Sequence, residues 1–97
     1  MTATMIRAQV KDECVADAEA AARRMFAAIN ATRPEGVKYA STRAGENTFI
    51  VLLALEGEQN PLAAIPEFRE FQAALPQYLA GPPVVEQLDV LGSYDLF

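Results

Sequence analysis

The 97-residue sequence contains no histidine, no tryptophan, one cysteine (Cys14) and only two lysines beside six arginines. Each shortage removes a class of chemistry. Without imidazole, Ser-His-Asp and Cys-His nucleophile systems lack their proton shuttle. Zinc sites of the Cys/His type need at least three such ligands, and haem held by a proximal histidine needs the histidine itself. A lone cysteine allows no intrachain disulfide and suits a reducing compartment. The glycines at positions 36, 45, 57, 81 and 92 stand singly, so no Gly-x-Gly-x-x-Gly turn or phosphate-binding loop occurs. Neither metal, haem nor flavin is expected as a cofactor. The basic residues are scattered from Arg7 to Arg69 and the net charge is −5. Nucleic-acid binding requires the reverse, clustered positive charge that displaces counterions from phosphates. The longest apolar run, residues 49–55, has seven members, against ~20 for a membrane span. The first seven residues show no basic stretch leading into an apolar one, so no signal peptide is expected. A soluble, cytoplasmic protein is expected, with no nucleic acid and no membrane among its partners.

What is present is a chain rich enough in apolar residues, 52%, to form one packed domain across residues 1–97. A domain of this length buries ~65% of the surface that its unfolded chain exposes. Residues 5–11 alternate Ile6, Ala8 and Val10 with Arg7, Gln9 and Lys11, the two-residue period of a strand with one apolar face. Asp12 then stands as an N-cap, with Glu13 behind it at the positive end of a helix dipole. From 13 to 32 the apolar positions Val15, Ala18, Ala22, Met25, Phe26 and Ile29 form a single helical stripe. Glu19 and Arg23 are spaced as an i,i+4 pair on the wet side, and Pro34 and Gly36 close the helix. Residues 37–44 read as a second strand, 45–47 as a hairpin turn, and 48–56 as a third strand. That third strand is apolar on both faces and so requires cover on both. Asn60-Pro61 reads as an N-cap and first turn. Pro66 opens a second helix bearing Phe68, Phe71, Leu75 and Leu79, which Pro76 should stop or kink after Leu75. After Gly81-Pro82-Pro83, residues 84–94 read as a fourth strand.

The order β-α-β-β-α-β is the ferredoxin-like arrangement, an α+β fold with a four-stranded antiparallel sheet. Right-handed crossovers place both helices on one face, with the first and third strands central. The other face is most economically covered by an identical sheet, which makes the expected partner a second copy and the expected assembly a dimeric α+β barrel.

Two stretches carry a family resemblance. Pro34-Glu35-Gly36-Val37-Lys38-Tyr39 resembles the Pro-Gly-x-x-Tyr start of the second strand in antibiotic-biosynthesis-monooxygenase-like domains. Residues 68–84, from Phe68-Arg69-Glu70-Phe71 to Leu79-Ala80-Gly81-Pro82-Pro83-Val84, resemble the second helix and its exit. The resemblance implies a dimeric barrel with a small-molecule pocket between sheet and helices or inside the barrel. It also implies cofactor-independent oxygenation, in which a deprotonated substrate itself reduces O₂. Many members carry a histidine just before the second helix and tryptophans after the third strand; this sequence has neither.

The candidate ligand-binding residues are Arg7, Gln9, Tyr39, Arg43 and Tyr78. Arg7 and Gln9 lie opposite the apolar set of the first strand, and Arg7 either grips a phenolate or carboxylate or forms an ion pair across a dimer interface. Tyr39 and Arg43 share a strand face, and Tyr78 follows Pro76; a tyrosine either donates to a ligand or packs its ring. Asn47 reads as a hairpin residue, Cys14 as a small packing residue, and Glu67/Glu70 and Glu56/Glu58 as solvated charges. The balance favours a homodimer that binds a small apolar or aromatic molecule without catalysis. The alternative is a cofactor-independent monooxygenase acting on a phenolic or polyketide-like substrate.

Overall fold

The structure, a computed structural model, describes residues 2–96. Its elements are β1 (Thr2–Gln9), α1 (Val15–Thr32), β2 (Val37–Ala44), β3 (Thr48–Leu55), α2 (Pro66–Tyr78) and β4 (Val84–Leu88). Short 3₁₀ turns at Asp12–Cys14 and Pro61–Ala64 precede the two helices. The strands form one antiparallel sheet in the order β2-β3-β1-β4, with β1 and β3 central. This is the ferredoxin-like α+β fold expected from the element order.

Registers decide which side chain faces where. Ile6 pairs with Val51, Ala8 with Phe49 and Tyr39 with Leu53. Because successive side chains alternate across a strand, these share one face, which both helices cover. Val10, Ala18 and Phe49 form the buried cluster there, with Cys14, Val15, Tyr78 and Leu79 packed around it. Met25, Leu62 and Val10 are the largest fully buried side chains. The opposite face carries Met5, Arg7, Ile50, Leu52, Ala40 and Val84, paired as Met5 with Leu52 and Arg7 with both Ile50 and Val84. Among the described residues no helix lies on it. Ala3 and Ala54 face each other on that side and are buried.

Several boundaries differ from expectation, each for a local reason. β1 starts at Thr2 and ends at Gln9; Val10 makes only an isolated bridge to Leu79. Asp12 caps no helix, since a 3₁₀ turn intervenes and no side-chain cap bond forms there. Its Oδ1 instead accepts from Asn47 Nδ2 at 2.9 Å, and the Val10 amide donates to the Asn47 carbonyl at 2.9 Å. Asn47 therefore ties the β2–β3 hairpin to the start of the first helical segment. Arg33 adopts φ 53° and closes α1, its amide donating to the Ile29 carbonyl. Gly45, at φ 69°, supplies the left-handed turn of the hairpin. Asn60 caps as expected, accepting from the Leu62 amide at 3.0 Å.

Pro76 does not stop α2 after Leu75; the helix runs on to Tyr78. The proline falls in the last turn, where the missing N–H removes one bond shortly before the chain turns extended at Leu79. β4 ends at Leu88 rather than at 94. Its pairing with β1 runs from Arg7–Val84 to Ala3–Leu88, and residues 89–94 belong to no strand. Among the described residues no helix is long and apolar enough to cross a membrane.

Candidate functional site

The sheet–helix layer holds an inner apolar cavity of about 60 Å³. Its walls are Ile6, Ala8 and Val10 of β1, Phe49 and Val51 of β3, and Phe71, Leu75 and Leu79 from α2 and its exit. Three polar side chains, Tyr39, Ser41 and Gln72, also line it. Outside it, between α1 and the far end of β2, opens a larger cleft of about 320 Å³. Ser41 and Phe49 line both spaces, so the cleft backs directly onto the cavity.

The cleft follows from local structure. Glu19, Ala22, Arg23 and Phe26 sit at helical spacing on one side of α1 and all face it. Ser41 and Arg43 alternate along edge strand β2 on the helix face. Arg43 Nη1 meets Glu19 Oε1 at 2.8 Å, with the side chains 45% and 31% exposed. The anticipated Glu19–Arg23 pair is thus replaced by a tertiary one, because the sheet brings Arg43 within reach of α1. Arg23 forms no ion pair among the described residues and still lines the cleft.

Tyr39 divides the inner cavity from a second groove near Pro34. Its ring stacks on Phe26, centroids 5.1 Å apart and planes 16° off parallel, and meets Phe68 edge-on at 6.0 Å. Burial pushes its hydroxyl up to about 12. At neutral pH Tyr39 is therefore a hydrogen-bond donor and not a base. No charged or polar residue is fully buried among those described, and the carboxylate that reaches this region, Glu19, lies part-exposed in the cleft, paired with Arg43. No group of three or more His, Cys, Asp and Glu side chains stands ready for a metal among the described residues.

The five sequence candidates divide between the faces. Tyr39 and Arg43 lie on the helix face, Arg43 in the cleft and Tyr39 at the cavity. Arg7 and Gln9 lie on the bare face, both exposed, and Gln9 Nε2 donates to Thr48 Oγ1 at 2.9 Å. The sheet separates them from Tyr39, so within one chain Arg7 and Tyr39 do not meet a common ligand. Tyr78 ends α2, where its carbonyl accepts from the Lys11 amide at 2.8 Å and its side chain joins the core. Cys14 packs beside that core, its Sγ 3.9 Å from the Gln77 carbonyl. Sequence reasoning missed Glu19, Phe26, Ser41 and Gln72 as site residues. Phe26 was visible as part of the apolar stripe, where a cleft wall and a core position carry the same signature.

No family profile matches the sequence, and no curated protein matches it either. Solved structures do. A candidate antibiotic biosynthesis monooxygenase from Caulobacter crescentus aligns with a TM-score of 0.75 and 25% identity, over 94% of this chain and 90% of that one. The fold is that of the antibiotic biosynthesis monooxygenase domains. A mutant of SnoaB, a cofactor-independent oxygenase from Streptomyces nogalater, shares this monooxygenase-type fold at TM-score 0.67 and 15% identity, over 97% and 96% of the two chains. So does a protein of unknown function from Nitrosomonas europaea, at TM-score 0.75 and 21% identity, over 96% and 91%. This chain keeps that backbone plan with no histidine and no tryptophan.

Proposed function

We propose that the protein is a cytoplasmic homodimer that binds a small apolar or aromatic molecule in its sheet–helix layer without transforming it. The observation that carries the binding role is the aromatic-walled cleft backing onto an apolar cavity, with the Ser41 side chain lining both. Proton abstraction needs a base whose pKa lies near the working pH, and Tyr39, at about 12, is far from it. No cofactor is part of this reading.

Dimerisation is supported by surface. The chain exposes 6478 Å², whereas a compact monomer of its mass exposes about 5,400 Å². Part of that surface is the bare sheet face, which bears Met5, Ile50 and Leu52 together with Val84 at 43% exposure. Light scattering should give twice the 10.5 kDa chain mass. Titration with the neutral fluorophore N-phenyl-1-naphthylamine should saturate with one site per chain. A monomer by scattering rejects the dimer; no saturable binding rejects the ligand role.

The second reading, a cofactor-independent monooxygenase for a phenolic or polyketide-like substrate, draws support from the fold shared with SnoaB. An easily oxidised dihydroxynaphthalene separates the two. Oxygen uptake well above buffer, insensitive to chelator and lost on Tyr39→Phe, would replace the binding role with catalysis.

A further inference from the structure

We infer that the cleft between α1 and β2 selects an aromatic carboxylate, which Arg43 accepts by releasing Glu19. This rests on the reading that the sheet–helix layer binds a small aromatic molecule, and it assigns that molecule a charge. Three observations point the same way. The chain as a whole carries −5, yet the cleft sets Arg23 and Arg43 against Glu19 alone. The same walls include the aromatic side chains of Phe26 and Phe49. The inner cavity, about 60 Å³, holds no ring system as it stands, while the cleft, about 320 Å³, does.

The Glu19–Arg43 pair suits exchange rather than permanent structure. It is a single N–O contact of 2.8 Å with both side chains part-exposed, and such pairs contribute little to folding. A guanidinium presents five donors in a planar fork that matches a carboxylate two-for-two. Arg43 engages one acidic partner here, so a ligand carboxylate offers it the same contact with room for a second. Thr42 Oγ1 is already committed to the Ile50 carbonyl at 2.8 Å, which leaves Ser41 as the hydroxyl between cleft and cavity.

The test compares 2-naphthoate with the uncharged 2-naphthamide by calorimetry at neutral pH. A charge-assisted contact should favour naphthoate by about fivefold or more. Arg43→Met should bring the ratio of the two affinities close to one. Glu19→Gln should raise it several-fold, because the competing carboxylate is gone; a merely structural ion pair predicts no such gain. Thermal melts of both variants check folding, and the Glu19→Gln arm stands even if Arg43→Met folds poorly. A ratio near one in the unmodified protein overturns the inference while leaving aromatic binding intact. A preference that survives in Arg43→Met, or that Glu19→Gln leaves unchanged, also overturns it. If neither probe binds at about 1 mM, the binding role falls and the inference falls with it.

Discussion

The two faces of the sheet are built from the same four strands and meet opposite fates. On the helix face, Ala8, Val10 and Phe49 disappear beneath α1 and α2, and polar groups left there gather at one cleft. On the other face, Met5, Ile50 and Leu52 are only half-buried, and Arg7 and Gln9 stand in the open. The difference lies in the partners and not in the strands, since β3 is apolar on both sides. A strand's composition states how much cover it needs; the rest of the chain decides how much of it is supplied in cis.

Opposite substitutions on β3 should break this comparison most visibly. Phe49→Ala removes a buried ring from the helix face and should cost about 3 kcal/mol or more, read as a lower midpoint in urea. Leu52→Glu, on the bare face, should leave the fold standing but convert the dimer to a monomer of 10.5 kDa by light scattering. Loss of folding from Leu52→Glu with the dimer intact in Phe49→Ala would invert the assignment of faces.

The helix face also carries a pH signature. Tyr39 is raised from 10.0 to about 12, so below pH 10 it is neutral in both folded and unfolded chains and contributes no pH dependence. Between pH 10 and 12 the unfolded chain loses the phenolic proton and the folded one holds it, which favours unfolding. Stability should therefore fall by up to about 2 kcal/mol across that window, and Tyr39→Phe should flatten the fall. A slope unchanged in the variant would place the titration elsewhere.

The smallest effect belongs to the bare face. Among the described residues Arg7 makes no ion pair, and it is exposed in the single chain. Arg7→Met should leave the melting temperature level or slightly higher, because no carboxylate of its own chain is stranded. A drop of many degrees would mean that the second copy supplies that carboxylate and that Arg7 is a cross-interface pair.

Much of the fold was legible because it rests on local chemistry. β2 and its hairpin were legible beside the Gly45-Glu46-Asn47 turn, and the Asn60 cap from the Asn-Pro pair that makes it. What was not legible depended on distant neighbours. Asp12 has the side chain of an N-cap, yet its oxygen is taken by Asn47, 35 residues on. Glu19 has the spacing to meet Arg23, yet the sheet delivers Arg43. The end of β4 coincides with the end of its pairing to β1, at Ala3–Leu88. The candidate site suffered most, because a cleft is an agreement between α1 and β2 that neither segment announces alone. Arg43 and Tyr39 were visible as polar residues on one strand face, but the glutamate and the rings that give them meaning sit on the helix.

The central place of β1 has a consequence for the order of events during synthesis. It leaves the ribosome before either strand it bonds: Gln9 must wait for Thr48, 39 residues later, and Ala3 for Leu88, 85 residues later. Until then its only shelter is α1, and the β2–β3 hairpin is the one sheet contact that closes locally. Such distant pairings slow folding relative to helical chains of equal length. The nascent protein therefore carries an unpaired, partly apolar strand until β3 emerges, and its sheet can close only once β4 has followed.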